Sequence, residues 1–236
     1  MYQNLIFDLY GTLIDIETNE DQTELWEQMA KLYSCFGATY NAEELRNQYI
    51  CFCKKEAASM TGDYCEICLD SVFTNLFVDK GILPESSLVY YIGNTFRVLS
   101  RSVFSLYPGT IELLKQMKEA GKKIYLLSNA QRIFTYQELV ESGLIPYFDG
   151  IFISSDHGIK KPNPAYLEKL ISTYKLNREE CIMIGNEIAS DIQIANACGI
   201  DSIYLRTQTF EALPEKIPAT HILLEPTMQK LGNLLS

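Results

Sequence analysis

The chain has 236 residues, enough to bury a good core as one domain with a sizeable insertion or as two modest domains. Its 20 Lys and Arg against 30 Asp and Glu leave a formal net charge of −10, which argues against nonspecific attraction to nucleic acid or to an anionic membrane and favours a small-molecule partner. There is no basic-then-apolar leader and no long apolar run, and the seven cysteines are odd in number and scattered, so a soluble cytoplasmic protein with reduced thiols is expected.

The first predicted strand covers residues 5–8 and carries Asp8 to its end, followed at once by Tyr10-Gly11-Thr12. An apolar run that delivers a carboxylate into a Gly-Thr turn reads as a nucleophile, although an aspartate before such a turn also serves as a cap. Residues 17–103 show helical spacing, with apolar positions at Leu25, Met29, Leu32 and Tyr33, and read as an inserted helical block. Within it Trp26, Tyr33, Tyr40, Phe52 and Phe96 are expected to form a core. Cys51, Cys53, Cys65 and Cys68 lie in helical patterns and read as apolar, buried thiols rather than a zinc site.

Pro108-Gly109 marks the return to a sheet, with a helix over 110–120 and strands over 123–128, 150–154, 181–185 and 202–205. A second helix is expected over 163–174, started by Pro162-Asn163-Pro164. Strands alternating with helices imply a doubly wound parallel sheet, with residues 1–15 and 105–236 as the core and 16–104 as a helical cap. In such sheets ligands bind outside the carboxyl ends of the strands. Polar residues stand there at Asp8, at Ser128-Asn129, at Lys160-Lys161 and at Asn186-Glu187 through Asp191.

In order and spacing these four motifs resemble the haloacid dehalogenase (HAD) superfamily, and the resemblance spans nearly the whole chain, cap included. It implies that Asp8 is a nucleophile forming a covalent intermediate, that Ser128 binds the transferred group, and that Lys161 neutralises charge on both. Gly11, Thr12 and Asn129 would line the substrate pocket. Mg²⁺ would be held by Asp8, the main-chain carbonyl of Tyr10, Asn186 and Asp191. Lys161 is favoured over Lys160 by the family register.

Two positions depart from the phosphatase pattern. Tyr10 stands where an Asp usually protonates the leaving oxygen and activates water, and a phenol with a reference pKa of about 10 is a poor base near neutral pH. Asn186 stands where an Asp usually binds metal, leaving Glu187 to compensate or to face water. A Tyr at the second position resembles the metal-independent 2-haloacid dehalogenases, yet those have an Arg where this chain has Thr39 and an Asn where it has Ile188, with Arg46 and Asn186 out of register. The expected activity is therefore Mg²⁺-dependent hydrolysis of small, anionic phosphomonoesters, with dehalogenation second and a fold kept only for binding third. Ser128-Asn129 would alternatively cap the helix near Ile133, Arg132 would face solvent more readily than substrate, and His157 reads as an ordinary loop histidine. Oligomeric state is left open.

Overall fold

A computed structural model describes residues 2–207 and 213–236. Its sheet is built on β1 (Asn4–Phe7), which pairs in parallel with β4 (Lys123–Ser128) on one side and β6 (Cys181–Gly185) on the other. Beyond β4 lies β5 (Gly150–Ile153), and beyond β6 lie β7 (Asp201–Leu205) and β8 (His221–Leu223), giving the order β5-β4-β1-β6-β7-β8. The chain builds outward from β1 through β4 and β5, then crosses back to start β6. The reversal falls beside β1, which puts Asp8 at the switch point where open α/β sheets bind ligands.

Strand side chains alternate between two layers. Leu5 and Phe7 join Ile124, Leu126, Ile182 and Ile184 against α5 (Thr110–Glu119) and α9 (Met228–Leu235). Ile6 joins Tyr125, Leu127 and Met183 against α7 (Pro164–Tyr174) and α8 (Gln193–Cys198). The continuous apolar runs seen in the sequence are thus strands buried on both faces. Asn163 accepts a hydrogen bond from the Ala165 amide at 3.1 Å, so α7 has the start expected of it.

The inserted block is not helical throughout. β2 (Ile14–Thr18) and β3 (Arg101–Leu106) form an antiparallel ribbon in which Ile14 faces Leu106 and Ile16 faces Phe104. The alternation Ile14-Asp15-Ile16-Glu17 is the period-2 signal of a half-buried strand. Between the two strands stand α1 (Thr23–Cys35), α2 (Ala42–Ser59), α3 (Leu69–Val78) and α4 (Ser86–Ser100).

Their core is a mesh of rings. Trp26 meets Tyr49 at 5.3 Å and Phe96 at 5.5 Å, and Tyr33 meets Phe77 at 4.5 Å. Phe52 only packs against its edge. The mesh also takes in Ile133 and Phe134 from α6 (Arg132–Glu141), a helix that follows β4. Contact there is close, because a Cβ added at Gly93 of α4 would lie 2.4 Å from Ile133 Cδ1. Cys65 and Cys68 lie in the loop between α2 and α3, not in a helix, and all seven cysteines are free, with Cys51, Cys53, Cys65 and Cys68 only partly buried. No helix among the described residues is long and apolar enough to cross a membrane.

Candidate active site

Asp8 leaves β1 with its amide donating to Ile184 O at 2.9 Å, which fixes the carboxylate over the β1–β6 edge. The Lys161 ammonium donates to Asp8 Oδ1 at 2.6 Å and to Asp191 Oδ1 at 2.7 Å. All three side chains are buried, so two carboxylates share one cation away from water. Burial alone would lower the Lys161 pKa, but Asp191 and then Asp8 raise it above the ordinary lysine range. Burial pushes the Asp191 carboxyl above its usual range against the pull of Lys161, with the Asp8 charge adding to the rise.

Each member is set by its own local device. The Lys161 amide donates to Asn129 Oδ1 at 2.8 Å and its carbonyl accepts from Asn129 Nδ2 at 3.0 Å, so one side-chain amide clamps the lysine's main chain. Asp191 lies within a single π-type turn (Ile188–Ile192) and accepts the Glu187 amide on Oδ2 at 3.0 Å. Gly185 leaves it room, since a Cβ there would lie 2.2 Å from Asp191 Oδ2. Gly11 holds φ at 77°, and a Cβ on it would lie 2.3 Å from Asn186 Nδ2, so this turn requires glycine twice over.

A cavity of about 500 Å³ opens over these groups. Asp8, Tyr10, Gly11, Asn129, Lys161 and Asn186 line it, together with Ile16, Glu66, Lys160, Glu187 and Ser190. Asp191 stands behind this wall with both oxygens engaged, and Thr12 is fully buried beneath it. Ser128 is also buried, and its hydroxyl has no hydrogen-bond partner among the described residues. It does not cap α6, whose first residue follows Gln131 with no side-chain cap.

Tyr10 turns its hydroxyl away from Asp8. It donates to Glu138 in a short bond and lies 2.9 Å from Thr135 Oγ1, while the Arg97 guanidinium sits 5.4 Å over its ring. Arg97 Nε donates to Glu138 at 2.7 Å, and Glu138 is almost fully buried. Burial first, then the Glu138 charge, raises the Tyr10 phenol far above its usual range, so it is a bound neutral donor rather than a base.

The oxygens open to a hard cation can be tested on one hydroxyl. Thr12 Oγ1 lies 3.3 Å from Asp8 Oδ2 and 3.2 Å from Asn186 Oδ1, yet it has one proton to give. At least one of these oxygens therefore keeps acceptor capacity. Among the described residues no group of three or more His, Cys, Asp or Glu is placed to hold a metal. The set is one carboxylate with neutral oxygens, which fits Mg²⁺, an ion bound through one or two carboxylates while keeping several waters.

Other expected residues lie elsewhere. Arg132 forms a two-point ion pair with Asp156, at 2.7 and 2.6 Å from Nε to the two oxygens, and does not line the cavity. His157 stacks on Phe152 at 4.5 Å, Arg46 pairs with Asp21 at 2.6 Å on the surface, and Thr39 is exposed. Glu66 lines the cavity from the loop between α2 and α3, and no motif in its sequence surroundings marks it.

Strand ends that gather a buried carboxylate, a lysine and a second acid under an inserted cap define a hydrolase-type α/β site. The sequence profile of the haloacid dehalogenase-like hydrolases matches residues 2–199, and the chain belongs to that family and is a hydrolase. It is 26% identical over 219 residues to the pyrimidine 5'-nucleotidase PynA of Streptococcus pneumoniae, covering 89% of this chain and 86% of that protein. Among solved structures, the 2-haloacid dehalogenase of Pseudomonas syringae superposes with a TM-score of 0.68 at 18% identity, covering 100% of this chain and 98% of that one. The magnesium-bound YfnB of Bacillus subtilis superposes with a TM-score of 0.57 at 21% identity, covering 99% and 98%. Both structural likenesses speak to the fold alone.

Proposed function

We propose that this hydrolase acts on small phosphomonoesters with Asp8 as nucleophile. The carrying observation is Lys161 held 2.6 Å from Asp8 and backed by Asp191. A carboxylate approaching a phosphate dianion meets repulsion, and a buried, fully charged lysine beside the attacking group offsets it. The Asp8 carboxylate forms the bond to phosphorus as the ester oxygen departs and takes a proton from water. A water then attacks the aspartyl-phosphate, releases phosphate and restores Asp8.

Ser128 is buried and outside the cavity lining, but its hydroxyl has no partner among the described residues, and a phosphate oxygen reaching it from Asp8 would supply the bond it lacks. Asp8, the Tyr10 carbonyl and Asn186 would hold Mg²⁺ with Asp191 behind them, and the bound ion would supply further positive charge. With its hydroxyl committed to Glu138, Tyr10 leaves no carboxylate at the acid/base position, so slow turnover is expected.

Displacement of halide from 2-haloacids is the second reading, favoured by Tyr10 in the nucleophile turn. Against it, among the described residues no arginine lines the cavity to clamp a carboxylate. The test is phosphate release from a panel of phosphomonoesters and halide release from 2-haloacids, each with Mg²⁺ or with EDTA, for the native chain and Asp8→Asn. Metal-dependent release that disappears in Asp8→Asn is the expected result. Halide release that survives EDTA, without phosphate release, would replace this reading with the second.

A further inference from the structure

The far wall of the cavity carries a carboxylate that the reaction above does not use. Glu66 sits on the loop between α2 and α3, and this loop is laced to the segment that bears Lys161. The Glu66 amide donates to Gly158 O at 3.0 Å, the Lys160 amide donates to Tyr64 O at 2.9 Å, and Cys65 bridges Ile159 in antiparallel fashion. Gln131 ties the same loop to the start of α6, donating to Ile67 O at 2.9 Å and accepting the Leu69 amide at 2.9 Å. Glu66 is thereby held in fixed relation to Lys161 and, through it, to Asp8.

Its carboxylate is only partly used. Oε2 accepts the Ser154 hydroxyl at 2.9 Å and Oε1 accepts the Gln131 amide at 3.3 Å, both neutral donors. The Lys160 ammonium forms an ion pair with Oε1 at 3.8 Å, too long for a hydrogen bond. A carboxylate has about four acceptor positions, so Glu66 keeps capacity facing the cavity. Its side chain is 12% exposed at the cavity wall, and an acceptor position left over there favours a substrate donor that can take it. The neighbouring wall is polar too, with Lys160, Glu187 and Ser190, and Ser190 donates to Glu187 at 2.5 Å.

We infer that Glu66 is a specificity-determining residue that reads a hydroxyl or ammonium donor on the organic part of the substrate. This rests on the phosphomonoester reading above. The substrate class is then a small, polar phosphate ester with a donor beyond its phosphate, rather than a plain alkyl ester.

Three esters of similar size test it: ethanolamine phosphate with an ammonium, glycerol 3-phosphate with hydroxyls, and propyl phosphate with neither. The native enzyme should prefer at least one donor-bearing ester over propyl phosphate by about 10-fold or more in kcat/KM, the scale of one hydrogen bond to a charged group. Glu66→Gln should erase most of that preference, mainly through KM. Each ratio is taken within one preparation, so a reduced folded fraction cancels. Which ester loses its advantage tells the ammonium from the hydroxyl. A native enzyme without preference, or a Glu66→Gln enzyme that slows equally on all three, would overturn the assignment while leaving the phosphatase reading intact. Absence of phosphate release from every ester by the native enzyme would overturn both.

Discussion

The two walls of the crevice are built by different means. On the core side, the candidate site groups stand beyond the ends of strands whose apolar residues are buried on both faces, with Asp8 fixed by main-chain register, Asp191 by its turn and the Glu187 amide, and Lys161 by a clamp on its own main chain. On the cap side, rings packed at 4.5 to 6.4 Å hold four helices together, and the mesh reaches into the core through Ile133 and Phe134. One wall fixes atoms and the other fixes a surface. Substitutions should separate along this line, with core-side changes removing turnover from a folded protein and seam changes lowering stability.

Lys161→Met is expected to have the largest effect. Loss of the one ammonium shared by Asp8 and Asp191 should lower kcat/KM for phosphate esters by about 10² to 10³, the scale of losing one preorganised electrostatic partner. Circular dichroism should still show the native fold, although the two buried carboxylates left without their cation should lower the urea midpoint as well. A comparable activity loss caused wholly by unfolding would break the distinction on the core side.

Arg97→Met comes next and falls on the seam. Glu138 would be left buried with the Tyr10 hydroxyl and Arg101, whose Nη1 lies 3.7 Å away, as its remaining partners. The expected cost is about 3 kcal/mol, at the lower end for breaking a buried pair, read from urea unfolding. The double variant Arg97→Met/Glu138→Gln should recover part of that loss. If it does not, the pair is not coupled and the seam rests on its rings alone.

Gly93→Ala should be the mildest. The new methyl would lie 2.4 Å from Ile133 Cδ1 and 2.5 Å from its Cγ1, so this buried side chain must move as a whole, and a net cost of about 1 to 2 kcal/mol is expected after the gain in helix propensity. Retained kcat with a lower unfolding midpoint would sharpen the comparison, because the seam would then carry stability without touching chemistry.

The same contrast sets how much was legible in the sequence. Asp8, Ser128 and the segment ending at Asp191 each follow an apolar strand run, and in a doubly wound sheet such ends converge without further information. Lys161 was legible by its place in the family pattern. What escaped depends on contacts between distant segments. Nothing near Glu66 signals that its loop folds back on residues 157–163, and helical spacing in α6 shows an apolar stripe at Ile133 and Phe134 without saying that cap helices cover it. The ribbon of β2 and β3 was missed because short alternating stretches at the edge of a long helical block are outweighed by their surroundings. The tie from Tyr10 to Glu138 and Arg97 was equally hidden, since its members are spread over three elements.

The Asn129 clamp has one more consequence. Both of its bonds go to the main chain of residue 161, so the amide holds that segment in place whatever side chain the residue bears. Placement and charge at this position are therefore separate hereditary units. A lineage can lose the ammonium by a single substitution and keep the loop's shape, and a later reversal would find its seat already made.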